Sequence, residues 1–112
     1  MNSSNLLIYK SKKFLITYTG STDGGGFRFG KEFSIFLKKY KIKFNKCLEV
    51  FSGPGFIGFD LLGKGVVSNL DLTDVNKFVK VLCNLTIKKN SLERKCNFYL
   101  SNNLKNFPKK KI

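Results

Sequence analysis

Residues 47–62, CLEVFSGPGFIGFDLL, place three glycines and a proline between two apolar runs. Gly53, Gly55 and Gly58 give the spacing G-x-G-x-x-G, which is typical of nucleotide-binding loops when it lies between a strand and a helix. The missing side chains let main-chain N–H groups approach a ligand at the positive end of a helix. The alternative is a tight turn that binds no ligand.

Two carboxylates flank this loop in the sequence. Glu49 lies four residues before Gly53, inside an apolar run, and Asp74 lies sixteen residues after Gly58. A buried carboxylate is costly unless it has a partner, so Glu49 favours a cationic ligand such as S-adenosylmethionine over a pyrophosphate. Asp74 could accept hydrogen bonds from ribose hydroxyls, with Asp71 as the second choice. A plain helix N-cap is an equally good interpretation of Asp74.

From residue 46 onward, short apolar runs typical of buried strands alternate with segments at helical spacing. The order strand, helix, strand, helix, strand is one βαβαβ unit, which predicts an α/β fold with a parallel sheet and right-handed crossovers. The first helix is expected to end at Gly63, and Thr73 or Asp74 is expected to cap the second. The three predicted strands are residues 46–51, 65–74 and 95–101.

The residues before this unit predict a strand at 14–19, a glycine-rich loop at 20–26 and an amphipathic helix at 30–40. A chain of 112 residues is at most one domain. Its expected divisions are an N-terminal strand, loop and helix over 1–45, a cofactor-binding unit over 46–104, and a basic tail over 105–112.

The charge is strongly positive, with 21 basic against 7 acidic residues and a formal net charge of +14. Such a balance indicates a polyanionic partner, RNA or DNA. The alternative is codon bias, because Lys, Asn, Phe and Ile all have A- and T-rich codons.

Three widely spaced cysteines and no histidine argue against a zinc site or a disulfide framework. No apolar run reaches the length of a membrane span, and lysines interrupt any signal-peptide core at the N-terminus. The sequence therefore predicts a cytoplasmic protein with reduced thiols and no membrane partner.

Several motifs together resemble a known family. Residues 48–62, LEVFSGPGFIGFDLL, resemble motif I of the class I S-adenosylmethionine-dependent methyltransferases. LDLTDVN (70–76) resembles their second-strand acidic motif, and NFYLSNNL (97–104) resembles their third-strand motif. DGGGFRFGKEF (23–33) is similar to the segment that precedes motif I in the small-domain methyltransferases. The resemblance implies the first half of a Rossmann-like methyltransferase sheet.

The resemblance also implies roles for individual residues. Glu49 would face the methionine moiety of S-adenosylmethionine, and Asp74 would hold the ribose. Asn102 occupies the place of an aspartate that contacts the adenine amino group. Phe51 stands where many members have a glycine. The residues implied to form the loop and the adenine contact are Ser52, Gly53, Pro54, Gly55 and Val75.

The implied function is a methyltransferase, or the cofactor-binding half of one, that acts on nucleic acid or on a translation-associated protein. The proline-containing motif that positions the methyl acceptor is expected to be absent, since Pro54 and Pro108 are the only prolines. The strand at 46–51 would then be an open sheet edge, completed by a second polypeptide or a copy of the chain, unless the chain is a fragment. The alternatives are a NAD- or FAD-binding oxidoreductase half-domain and a non-catalytic basic adaptor for RNA or protein.

Overall fold

The computed structural model describes residues 5–22 and 26–101. It opens with an antiparallel hairpin of β1 (Leu7–Lys10) and β2 (Leu15–Tyr18), followed by a 3-10 turn at Gly20–Thr22. The sequence predicted β2 but missed β1. The β1 segment is short and ends in lysine. It is a strand because it pairs with β2 and because the ring of Tyr9 packs edge-on against Phe56, 5.7 Å away.

Helix α1 (Gly26–Lys39) begins four residues before its predicted start. Ser34 and Leu37 are buried, whereas Phe33 and Phe36 of the predicted apolar face are exposed. Gly30 permits close packing on the next helix, since a Cβ there would lie 2.9 Å from main-chain atoms of Phe56 and Ile57. The helix is therefore amphipathic as predicted, but much of its apolar surface remains uncovered.

The βαβαβ unit is confirmed. Strands β3 (Phe44–Val50), β4 (Val67–Asp74) and β5 (Cys96–Leu100) form a parallel sheet in the order β3-β4-β5. Helix α2 (Phe56–Gly63) connects the first two strands and ends where the sequence predicted, and α3 (Lys77–Lys89) connects the last two.

The predicted cap of α3 is wrong. Thr73 lies inside β4 and Asp74 is its last residue, so neither starts the helix. Asn76 is the cap, and its side chain accepts a hydrogen bond from the main-chain N–H of Phe78 at 2.8 Å. Asp74 in turn accepts from the N–H of Asn76 at 3.0 Å. The carboxylate is therefore left at the strand end, beside the loop that precedes α2.

The core lies between the sheet and its two helices. Right-handed crossovers along β3-β4-β5 place α2 and α3 on the same face. Leu70 and Leu72 of β4 and Phe59 of α2 are fully buried there. Each such side chain stabilises the fold by about 1.5–3 kcal/mol relative to an exposed one. The hairpin docks on α3, where the N–H of Thr17 donates to Thr86 Oγ1 at 2.9 Å.

Strand β3 has one neighbour, β4, within residues 5–22 and 26–101. Phe44 and Val50 at its ends are about half exposed. Within the described residues β3 is therefore an edge strand of the sheet, and its completion by another segment stays a prediction. No helix in that part is long and apolar enough to cross a membrane. The three cysteines are free thiols, with Cys83 and Cys96 buried and Cys47 half-buried.

Candidate functional site

The glycine loop joins the carboxyl end of β3 to the amino end of α2, and two of its glycines have left-handed backbone conformations. Gly55 has φ +86° and is the N-cap of α2, and Gly53 has φ +53°. A Cβ on Gly55 would lie 2.6 Å from the ring of Phe59, so packing excludes a side chain there. A Cβ on Gly53 would meet nothing within 4 Å. Gly53 therefore borders open space from which a ligand can approach the main chain.

Asp74 lies against this loop. Its Oδ2 accepts a hydrogen bond from the main-chain N–H of Gly53 at 3.1 Å, while Oδ1 holds the N–H of Asn76. Asp71, the second choice from sequence, lies three residues earlier in β4 and is buried. It faces Lys46 at 3.5 Å and Asn97 at 3.4 Å. Of the two aspartates, Asp74 is the one that contacts the glycine loop.

Glu49 approaches the loop from the β3 side. Its Oε1 accepts a hydrogen bond from the N–H of Gly58, in the first turn of α2, at 2.9 Å. A Cβ on Gly58 would lie 2.7 Å from that oxygen, so the glycine makes room for the carboxylate. Burial raises the pKa of Glu49 to about 7, and the hydrogen bond from Gly58 opposes this shift. The group is therefore close to half-protonated at neutral pH, and a nearby cation would favour its ionised form.

The remaining candidates lie around the same loop. Ser52 is buried, and its N–H donates to the carbonyl of Thr73 at 3.0 Å, which ties the loop to β4. Pro54 is also buried, whereas Val75 is about half exposed just beyond Asp74. Asn102 lies outside the described residues. The carboxyl ends of β3 and β4 thus bring the loop residues and both carboxylates together at one edge of the sheet.

Cys83 supports the loop from below, and its contact was not predicted. Its thiol donates to the carbonyl of Gly53 at 3.2 Å. Burial raises the pKa of Cys83 to about 12, so the side chain acts as a neutral donor. Helical spacing in the sequence is consistent with Cys83 on the buried face of α3, but nothing in that spacing indicates which turn of the helix meets the loop.

Phe51 does not fill the core behind the loop. It has φ +54°, in the left-handed region that favours glycine, and its side chain is 65% exposed. Phe51, where many members of the resembled family have glycine, therefore strains the backbone, but its ring lies toward solvent.

No protein-family model and no curated protein matches the sequence. Solved structures do match. TYW2 of M. jannaschii, in complex with AdoMet, superposes with a TM-score of 0.70 and 16% identity over 94% of this chain and 47% of that chain. Trm5 of Methanocaldococcus jannaschii, in complex with adenosine, superposes with a TM-score of 0.65 and 22% identity over 90% of this chain and 30% of that chain. The chain has the fold of the class I S-adenosylmethionine-dependent methyltransferases.

A third solved structure agrees. The Pyrococcus abyssi tRNA (uracil-54, C5)-methyltransferase, in complex with S-adenosyl-L-homocysteine, gives a TM-score of 0.64 and 15% identity over 87% of this chain and 24% of that chain. The chain spans less than half the length of each of these three solved chains. The predicted Rossmann-like methyltransferase fold is confirmed, and the roles of the individual site residues stay predictions.

Proposed function

We propose that this chain is the S-adenosylmethionine-binding part of a class I methyltransferase whose methyl acceptor is a nucleic acid. The observation that carries the proposal is the pair of carboxylates, Glu49 and Asp74, which contact opposite ends of one open glycine loop. The methyltransferase fold and the AdoMet, adenosine and S-adenosyl-L-homocysteine named for its structural relatives support it.

The residues present fit this cofactor. S-adenosylmethionine supplies, when bound, a methyl group on a positively charged sulfur. Gly53 leaves open space above the loop, and Glu49 would place negative charge beside the cationic methionine moiety. Each carboxylate oxygen of Asp74 accepts one main-chain hydrogen bond, and a carboxylate has about four acceptor sites in all, so it can also accept from ribose hydroxyls. Ser52 and Cys83 would hold the loop in place.

The charge of Glu49 argues against the oxidoreductase alternative. A dinucleotide would bring its pyrophosphate to the glycine loop, where the Glu49 carboxylate would repel it, whereas an aspartate at the position of Asp74 suits the ribose of either cofactor. No comparison supports that alternative.

Calorimetric titration of the purified chain separates the two cofactors. We expect S-adenosylmethionine and S-adenosyl-L-homocysteine to bind, and NAD to give no measurable heat under the same conditions. The charge of the loop is the reason, since it suits a sulfonium and disfavours a pyrophosphate. Binding of NAD without binding of S-adenosylmethionine would end the methyltransferase proposal.

A nucleic-acid acceptor is supported by the formal charge of +14 and by the tRNA methyltransferase among the structural relatives. Methyl transfer needs an acceptor held in line with the sulfur and the methyl group, and orientation contributes much of the rate. We therefore propose that the described loop supplies the cofactor side of the reaction, while a further segment holds the acceptor.

We also propose that such a segment pairs with the open edge of β3. A stripe of exposed aromatic rings runs along α1, at a spacing that keeps them on one side of the helix. The rings pack on each other in pairs, with centroids 5.7 Å and 4.9 Å apart. Together with exposed Phe44 and Val50, they leave apolar surface that a strand-bearing segment would cover. The stripe consists of Phe29, Phe33, Phe36 and Tyr40.

Charged residues on β3 test this proposal. The purified chain is expected to self-associate through its open edge, and Phe44→Lys with Val50→Lys is expected to keep it monomeric to about tenfold higher concentration, because lysines block edge pairing. Sedimentation velocity over a concentration series measures the effect. The matched control places lysines at two exposed apolar positions of α3, Val81 and Leu85. The proposal is contradicted if both variants self-associate equally. It is also contradicted if the wild-type chain is monomeric over the whole concentration series.

A further inference from the structure

Lys64 is a largely buried lysine on the side of the molecule away from the glycine loop. It follows the last residue of α2, and its side chain is only 8% exposed. Its Nζ donates to Asp60 Oδ2 at 2.7 Å and to Ser34 Oγ at 2.8 Å. Ser34 also donates to Asp60. The ammonium group is thus fixed in position, and the one carboxylate beside it is already paired.

Three adjoining cavities share Lys64 as a wall, with volumes of about 480, 410 and 530 Å³. Nine different lysines line them, against one carboxylate, that of Asp60, among the described residues. The first cavity is lined by Lys10, Lys12, Lys31 and Lys64. The second adds Lys38, Lys41 and Lys43, and the third adds Lys13 and Lys95. The cavities adjoin at Lys64 and are predominantly lined by positive charge, and we name them together the amino-edge surface.

The amino-edge surface lies at the opposite edge of the sheet from the candidate cofactor site. Lys43 immediately precedes β3, and Lys95 immediately precedes β5. The eight residues of α2 separate Lys64 from the glycine loop by about 12 Å along the helix axis. Lys43, Lys64 and Lys95 therefore do not belong to the loop and do not neutralise its carboxylates.

Helix-dipole compensation does not account for this clustering. Lysines in the last turn of a helix stabilise its negative end, which explains Lys38 of α1. Lys10 and Lys12 belong to the hairpin, Lys31 lies in the first half of α1, and Lys95 precedes a strand. These lysines come from separate elements and converge on one concave face, where they raise the local concentration of anions.

We propose that the amino-edge surface binds the phosphate backbone of a duplex nucleic acid. Lysine binds phosphate as a point charge, and nine lysines around three adjoining cavities suit a ligand with regularly repeated charges. Among the described residues no arginine lines the cavities, so the forked donors that read guanine edges are missing from that part of the surface. Tyr9 is the one aromatic lining residue in the same part of the chain, and its ring packs on Phe56, which disfavours stacking of unpaired bases. Contact is therefore to the backbone and independent of sequence.

This inference deepens the proposed function. The role of the duplex as the methyl acceptor rests on that proposed function. The binding itself does not need S-adenosylmethionine. The surface would anchor a structured nucleic acid at a distance from the cofactor, as a contact additional to any made by the segment that positions the acceptor base.

Fluorescence anisotropy with a labelled 20-base-pair duplex, in RNA and DNA forms and without cofactor, tests the inference. The variant Lys43→Gln with Lys95→Gln removes two charges from different cavities, each immediately before a strand. The control Lys77→Gln with Lys80→Gln removes two exposed charges from α3, away from the cavities. We expect the first variant to bind about tenfold more weakly, with a salt dependence reduced by about two phosphate contacts, and the control to stay within about twofold of wild type.

Equal weakening of both variants would show that only net charge matters, and would overturn the inference. So would the absence of binding, or equal affinity for poly-glutamate of the same charge. Tighter binding of the RNA or of the DNA form identifies the source of the backbone, and both outcomes support the surface. S-adenosylmethionine binding, measured on the same two variants, is expected to be unchanged, which separates failure of this inference from failure of the cofactor proposal.

Discussion

Replacing Asp74 by alanine is expected to weaken S-adenosylmethionine binding by about 1.5 to 3 kcal/mol, or roughly 10- to 150-fold in Kd. The carboxylate would accept hydrogen bonds from the ribose, and bonds to a charged group have this worth. The substitution also removes the acceptors for the N–H groups of Gly53 and Asn76, which orient the loop. Calorimetric titration of wild type and variant measures the change.

Two further variants separate ribose binding from loop support. Asp74→Asn keeps a side-chain acceptor and is expected to bind with intermediate affinity. Asp71→Asn changes a buried aspartate in the same strand that does not contact the loop, and its affinity is expected to stay within about twofold of wild type. Thermal unfolding confirms that each variant is folded. Unchanged cofactor affinity in Asp74→Ala would show that Asp74 does not contact the cofactor. An equal loss of affinity in Asp71→Asn would show that the effect comes from lower stability of the fold.

The parallel unit was predictable because its signals are local. Apolar runs bounded by glycine or charge give β3, β4 and β5 within two residues of their observed limits, and Gly63 gives the end of α2. The start of α1 was placed too late, since the glycines before it were interpreted as loop. β1 was missed because it has only four residues and lies in a lysine-rich segment. It becomes a strand through its pairing with β2.

The site was predictable at the level of elements. Parallel strands end at the same sheet edge, so a carboxylate at the end of β4 must lie near a loop that follows β3, as Asp74 does. The orientation of single side chains was not predictable. The contact from Glu49 to Gly58, the contact from Cys83 to Gly53 and the capping by Asn76 each depend on which atoms the packed helices present. The packing of the helices on the sheet determines these contacts, and the periodicity of the sequence does not predict them.

The partly buried carboxyl of Glu49 is expected to make stability fall as pH rises. Its pKa is raised from 4.5 to about 7 in the folded chain, chiefly by burial, so the folded state holds a proton that the unfolded state releases. The stabilisation is fully present below about pH 4.5 and is lost as pH rises through 7. At 1.36 kcal/mol for each pKa unit, the whole loss is about 3 kcal/mol. Glu49→Gln cannot titrate and keeps an acceptor for Gly58, so it lacks this loss.

Urea unfolding at pH 5 and pH 8 measures the effect. We expect wild type to lose about 2 to 3 kcal/mol of unfolding free energy relative to Glu49→Gln between these values. The control is Glu93→Gln, which changes an exposed glutamate and is expected to follow wild type. Parallel pH profiles for wild type and Glu49→Gln would show that the carboxyl titrates normally.

Cofactor affinity is expected to change with pH in the opposite direction. A cationic ligand favours the ionised carboxylate, so S-adenosylmethionine should bind more tightly as pH rises through 7. The ionised carboxylate of Glu49 would then act as the counter-ion of the bound cofactor. Binding below pH 7 then releases a proton, which calorimetry detects as a heat that depends on the ionisation enthalpy of the buffer. The thiols of Cys47 and Cys83 also lie near Glu49, but burial raises the pKa of each, which keeps them neutral in this range. Stability and cofactor affinity thus respond to the same proton with opposite signs. If Glu49→Gln loses the pH dependence of both, the two effects are assigned to this one side chain.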